Sequence, residues 1–107
     1  VIGDVKDKNA IIFDDEIDTA GSIIQTVEIL QRFGAKNIYA GCTHGVLSGP
    51  AIERIKKSAI KEMVVTNTIP VPEEKQIENL TVLSIAPLFA EAIKRINEAR
   101  PIGELYL

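Results

Sequence analysis

"AIIFDDEIDTAGSII", residues 10–24, decides how this chain is read. Four apolar residues, 10–13, stop at two adjacent acids, Asp14 and Asp15. Asp18 and the small or polar residues 19–22 follow, and a helical spacing begins at Ile23. A short continuous apolar run suits a strand covered on both faces. Ile23, Val27 and Leu30 recur at helical intervals, and Gly34 is suited to end that helix. The turn between the two elements lies at the carboxyl end of a strand and the amino end of a helix. Open α/β sheets bind their ligands there.

Three further apolar runs extend the pattern: "NIYAGCT" (37–43), "EMVVTNTI" (62–69) and "LTVLSI" (80–85). A second helix is expected from Pro50 through Ile52 and Ile55, since proline suits a first helical turn. A third is expected near Pro87, with Phe89, Ile93 and Ile96 on one face. "PVPEEKQIEN" (70–79) is polar and proline-bearing and reads as a loop, so the third and fourth strands are joined without a long helix. Strand and helix alternating in this way signify an α/β domain, a parallel sheet with flanking helices and right-handed crossovers. The whole chain, 1–107, reads as one domain. Its final "RPIGELYL" is expected to dock or pair, because Leu105, Tyr106 and Leu107 are apolar at a terminus.

The 107 residues suffice for one core, and 46% hydrophobic with 25% charged residues is an ordinary globular balance. A net charge of -3 supplies no basic field for nucleic acid, and the short run Arg54, Lys56, Lys57 reads as a solvated helix face. Cys42 is the single cysteine, which excludes a disulfide within the chain and fits a reducing, cytoplasmic setting. In its apolar run it reads as a small buried hydrophobe. No stretch approaches the ~20 apolar residues that span a bilayer, and no signal peptide is visible. A first residue of Val1 points to a processed product or a piece of something longer.

The turn combines two chemistries. A helix amino terminus offers free N–H groups and partial positive charge, which suit phosphate. Ala20 and Gly21 let an anion come close to the backbone, and Thr19 and Ser22 bring hydroxyl donors. Asp14 and Asp15 lie outside this cradle, where carboxylates accept from sugar hydroxyls or hold Mg²⁺ directly or through water. Asp18 either caps the helix or faces the sugar as a base or a water-mediated metal partner. The pattern is neither G-x-x-x-x-G-K-[ST] nor G-x-G-x-x-G. His44, the only histidine, lies at the end of the second strand on the same sheet edge, a place for a ligand contact or a subunit interface. "THGVLSGPA" (43–51) joins the second strand to its helix and repeats the helix-terminus arrangement on a smaller scale.

"FDDEIDTAGS" resembles the phosphoribosyl-diphosphate (PRPP) binding motif of the type I phosphoribosyltransferase fold. That resemblance implies a Rossmann-like three-layer architecture, here incomplete. With "THGVLSGPAIERI", "VVTNTIP" and "LSIAPLFAEAIKRI", nearly the whole chain resembles the C-terminal half of the ribose-phosphate pyrophosphokinase family, the PRPP synthetases. The resemblance implies that Asp14 contacts the ribose hydroxyls of ribose 5-phosphate with Asp15 as its partner. It implies that Asp18, Thr19, Ala20, Gly21 and Ser22 wrap the 5-phosphate. Ser22 stands where threonine is common and keeps the hydroxyl.

The family transfers diphosphate from ATP to the 1-hydroxyl of ribose 5-phosphate with Mg²⁺, and assembles as homo-oligomers. Family proteins are roughly three times this length and built as two similar domains. The basic catalytic loop and most of the ATP site have no counterpart here, so the resemblance leaves the isolated chain inactive. Two other readings belong beside it: a non-catalytic associated subunit of the synthetase, and a transferase that consumes PRPP.

Overall fold

The computed structural model describes residues 2–106. Four strands form one sheet in the order β1-β2-β3-β4: β1 (Asn9–Ile17), β2 (Asn37–Gly45), β3 (Ile60–Thr66) and β4 (Leu80–Leu83). Every neighbouring pair is parallel. The helices are α1 (Gly21–Arg32), α2 (Ala51–Lys57) and α3 (Ala86–Asn97). The α/β parallel sheet with flanking helices expected from the sequence is therefore the fold. No helix among the described residues is long and apolar enough to cross a membrane.

The elements follow their sequence cues closely. Gly34 ends α1 at φ 84°, and Ala35 N–H closes back onto Leu30 O at 3.0 Å, a glycine-dependent helix stop. Pro50 is the residue before α2 rather than inside its first turn. Proline does lie in the first turn of α3. The β3–β4 connection contains only a single 3₁₀ turn, Glu73–Lys75. β1 runs four residues further than its apolar stretch: the ladder with β2 continues through Glu16 opposite His44 and Ile17 opposite Gly45. β4, by contrast, stops at Leu83.

The core lies on one face of the sheet. Ile38, Ala40 and Cys42 of β2 and Met63 and Val65 of β3 are buried, with Ile23 and Val27 of α1 and Ala51 and Ile55 of α2 packed among them. Ala10, Ile12, Leu80 and Val82 border this cluster. The alternating side chains point to the opposite face. There Ile11, Phe13 and Leu83 are exposed, Phe13 at 76%.

The expectation that the strands are buried on both faces is thus corrected. Strand side chains alternate between faces, and the described helices cover only one of them. Phe13 lies across Gly41 on the open side, its Cε1 at 3.4 Å from where a glycine Cβ would stand.

α3 buries none of its residues, and Phe89, Ile93 and Ile96 form an exposed apolar stripe along it. Open face and outlying helix together explain the dimensions. The molecule measures 51 × 35 × 19 Å with a radius of gyration of 16.3 Å, against about 13 Å for a compact domain near this size.

The tail is held. Arg95 donates to Glu91 at 3.0 Å, to Pro101 O at 3.2 Å and to Glu104 at 3.0 Å, which anchors a short 3₁₀ turn, Gly103–Tyr106. Tyr106 is nevertheless exposed, and Leu107 lies outside the described residues.

Candidate functional site

The acidic end of β1 and the small-residue start of α1 share one hollow. Its lining is Asp14, Glu16, Ile17, Asp18, Thr19, Ala20, Gly21, Ser22 and Ile23, around an open space of about 390 Å³. Much of that space is open to solvent, and the enclosed part is about 150 Å³. Strand alternation explains which acids reach it. Asp14 and Glu16 share a side of β1, whereas Asp15 is not part of the lining. Glu16 was not singled out in the sequence, because beside Asp14 and Asp15 it reads as one more residue of an acidic loop.

The first turn of α1 leaves its amide donors free in the way a helix start must. Ile24 N–H is the first to bond back, to Ala20 O at 3.1 Å. Ala20 itself takes the left-handed conformation, φ 65°, and no side chain caps the helix. The capping alternative for Asp18 is therefore not realised. Its carboxylate accepts from the Ser48 hydroxyl, and its carbonyl accepts Ser48 N–H at 3.0 Å. The hydroxyls of Thr19 and Ser22 engage no other side chain among the described residues.

The β2–α2 connection braces this turn from the side. Val46 N–H and Leu47 N–H both bond to Ile17 O, at 3.0 and 3.1 Å. Leu47 is left-handed, φ 52°, and 1% exposed, so its side chain pins the loop to the core despite an unfavourable backbone. From α2, Arg54 Nη1 donates to Thr19 O at 3.0 Å. The sequence placed Arg54 on a solvated face; its partner is 35 residues away, a distance that spacing rules do not span.

Asp15 stands beside the hollow without lining it. Its carboxyl is held below the ordinary range, first by hydrogen bonding with the Asp14 side chain and then by the Glu16 N–H, which donates to it at 2.9 Å; the nearby His44 adds to this. Asp14 in turn accepts Asp15 N–H at 2.8 Å. His44 Nδ1 lies 2.8 Å from Thr68 Oγ1. Thr66 and Thr68 both donate to Thr43 O, at 2.6 and 3.2 Å, tying the ends of β2 and β3 together. Asn67 accepts Ile85 N–H at 2.9 Å and carries the same lacing to β4 and α3. The "TNT" segment is thus a set of cross-strand ties at the carboxyl edge.

Cys42 is buried beneath this rim. Burial pushes its thiol up to about 11, which agrees with the reading of a small hydrophobe.

No group of three metal-ligating side chains is present among the described residues. The donors at the hollow are carboxylate oxygens, the kind that Mg²⁺ takes one or two at a time beside water and substrate oxygens. The residues therefore fit a substrate-shared Mg²⁺ and do not form an all-protein cage.

Comparison with known proteins gives one consistent result. The model of the phosphoribosyl synthetase-associated domain matches residues 1–107. A ribose-phosphate pyrophosphokinase of Caldanaerobacter subterraneus is 60% identical over 99% of this chain, and that of Bacillus subtilis is 53% identical over the same share. The crystal structure of phosphoribosylpyrophosphate synthetase from Mycobacterium smegmatis superposes with a TM-score of 0.89 at 48% identity, covering 92% of this chain. The chain spans about a third of the length of these relatives: 34%, 33% and 33%.

Proposed function

This chain belongs to the phosphoribosyl synthetase-associated domain family, and from that premise we propose that it is the ribose 5-phosphate-binding part of a ribose-phosphate diphosphokinase. The observation that carries the reading is the single hollow that joins the acidic strand end to the small-residue helix start. In this reading the 5-phosphate sits at the amino end of α1, against the free amides of the first turn and the Thr19 and Ser22 hydroxyls. Asp18, Ala20 and Gly21 complete the wrap. Asp14 accepts from the ribose hydroxyls, with Asp15 as its partner acid. The names of the relatives are those of the enzyme, which favours this reading over an associated non-catalytic subunit or a PRPP-consuming transferase.

The reaction of the whole parent would be diphosphate transfer. The 1-hydroxyl oxygen of ribose 5-phosphate attacks the β-phosphorus of ATP, the bond between the β-phosphorus and the α,β-bridging oxygen breaks, and AMP leaves. The hydroxyl proton is released, and PRPP is formed. The part assigned to this chain is to bind and orient the acceptor sugar, so that a bimolecular step becomes a positioned one. Mg²⁺, when bound near Asp14 and the sugar oxygens, would neutralise charge developing on the transferred group.

ATP and the basic catalytic groups would come from the remaining two-thirds of the parent. The C-terminal placing of this chain rests on the resemblance of its motif blocks alone, and the parent's full sequence tests it. The open sheet face and the α3 stripe are read as contacts filled by the rest of the parent or by further copies in a homo-oligomer.

Calorimetric titration with ribose 5-phosphate and Mg²⁺ tests the binding claim, with an Asp14→Asn, Asp15→Asn double variant as control. Saturable binding that weakens in the variant is expected. Equal heats from both proteins would overturn the assignment. A turnover assay on the chain alone is expected to give no PRPP.

A further inference from the structure

The turn that opens α1 is gripped on both flanks by the segment that follows β2. On one flank, Ser48 donates its hydroxyl to the Asp18 carboxylate and its N–H to the Asp18 carbonyl at 3.0 Å. On the other, Arg54 Nη1 donates to the Thr19 carbonyl at 3.0 Å. The two gripping residues do not move freely. Leu47, 1% exposed, fixes the loop beside Ser48, and Ala51 and Ile55, both 0% exposed, seat the helix that carries Arg54.

Between the flanks lies Ala20 at φ 65°, a conformation that an L residue holds only when its surroundings impose it. Arg54 passes beside Gly21 on its way to the Thr19 carbonyl. A Cβ at Gly21 would lie 3.4 Å from Arg54 Nη1.

We infer that Arg54 is a positioning residue for the anion-facing turn: by holding the Thr19 carbonyl it fixes the orientation of the Thr19–Ala20 peptide. In a trans peptide the carbonyl and the N–H of one plane point in opposite directions. A Thr19 oxygen committed to Arg54 is an oxygen that cannot turn into the hollow. That matters for a phosphate ligand, since a carbonyl facing an anion repels it, whereas an N–H attracts it. The preorganisation removes an ordering step from binding. The ligand in this argument is the sugar phosphate of the proposed function. The clasp itself stands on the protein's own contacts.

The test replaces Arg54 with methionine, which keeps much of the aliphatic stem and removes both the charge and the donor. It is made in the full-length parent, with Ser48→Ala as a second variant that loosens the other flank. Amide chemical shifts of residues 19–21 are read first, without ligand. Shifted signals there, with β3 unchanged, are expected for R54M. KM for ribose 5-phosphate should then rise about tenfold while KM for ATP stays the same, a loss in the range of one charged hydrogen bond.

Unmoved amides at 19–21 would overturn the inference, above all if the affinity loss also vanishes at high salt, because Arg54 would then act only as a distant charge. If R54M does not fold, the same amide readout on R54Q, whose shorter side chain removes the charge and falls short of the Thr19 carbonyl, decides. If the parent does not bind ribose 5-phosphate at all, the sugar-phosphate reading fails, while the ligand-free amides still decide the clasp.

Discussion

Alanine at Gly45 would crowd the point where β2 passes into the loop that grips Asp18. Gly45 is not one of the glycines with positive φ, so the backbone accepts alanine and the effect is one of packing. An ideal Cβ there stands 3.2 Å from Val65 Cγ1, 3.3 Å from Val65 Cβ and 3.5 Å from Leu47 Cδ1. Both neighbours are fully buried, Val65 at 0% and Leu47 at 1% exposed, so neither can swing into solvent to make room. Overpacking of this kind costs about 1–3 kcal/mol. Alanine's narrower unfolded ensemble offsets about 0.4–1 kcal/mol. The net loss is about 1.5 kcal/mol, a fall in Tm of roughly 6–12 °C for a domain of this size.

A double-mutant cycle tests the cause. Val65→Ala alone should cost about 2 kcal/mol from lost burial and the cavity left behind. In that background the Cγ1 contact is gone while the Cβ of residue 65 stays 3.3 Å away, so the cost of G45A should fall by about half, a coupling of about 0.7 kcal/mol. Urea denaturation followed by far-UV circular dichroism, at low protein concentration, reads all four proteins. Additive losses would refute the contact argument and leave the destabilisation to some effect other than the clash with Val65.

Other consequences are independent of that contact. Because burial raises Cys42 to about 11 from 9.0, the folded state disfavours the thiolate: its contribution to stability is intact below pH 9 and is lost as pH rises through 11. In the native protein a thiol reagent should leave Cys42 unmodified at neutral pH and react promptly once urea unfolds the chain. Arg95→Ala should free the tail, seen as faster proteolytic cleavage within residues 98–104. Acid should act late on the Arg95–Glu91 pair within α3, because hydrogen bonding to Arg95 holds Glu91 below its usual 4.5; the pair's contribution is full above that value and lost only as pH falls beneath it, read as the pH dependence of Tm against Glu91→Gln. The isolated chain, with its open sheet face and the apolar stripe of α3, should self-associate in sedimentation at micromolar concentration; a well-folded monomer there would contradict the reading of these surfaces as contacts.

Local chemistry was readable from the sequence, and contacts across the fold were not. Apolar runs and 3.6-residue spacing marked every strand and helix, and Gly34 marked the end of α1, because each signal lies within a few residues. The length of β1 was missed because Asp14, Asp15 and Glu16 look like a loop. Their backbone is strand because β2 supplies a ladder up to Gly45. The coverage of the sheet was misjudged for a related reason: Ile11 and Phe13 are apolar whether or not a layer lies over them.

At the site, the small residues and hydroxyls that line the hollow, 19–22, were legible in the sequence. The choice of which acid lines it was not, since that follows from the alternation of an unexpectedly long strand. Ser48 and Arg54 stand 30 and 35 residues from their partners, and only the docking of the β2–α2 connection brings them to the turn.

The most direct test of the central claim is a residue-resolved titration. Amide signals of the chain would be followed by NMR as ribose 5-phosphate is added, with and without Mg²⁺, and again with plain ribose. Saturable shifts are expected to concentrate at residues 18–23, with a smaller set at 14–16, present with the phosphorylated sugar and absent with ribose. Shifts centred elsewhere, or none at 18–23 in a folded protein, would contradict it.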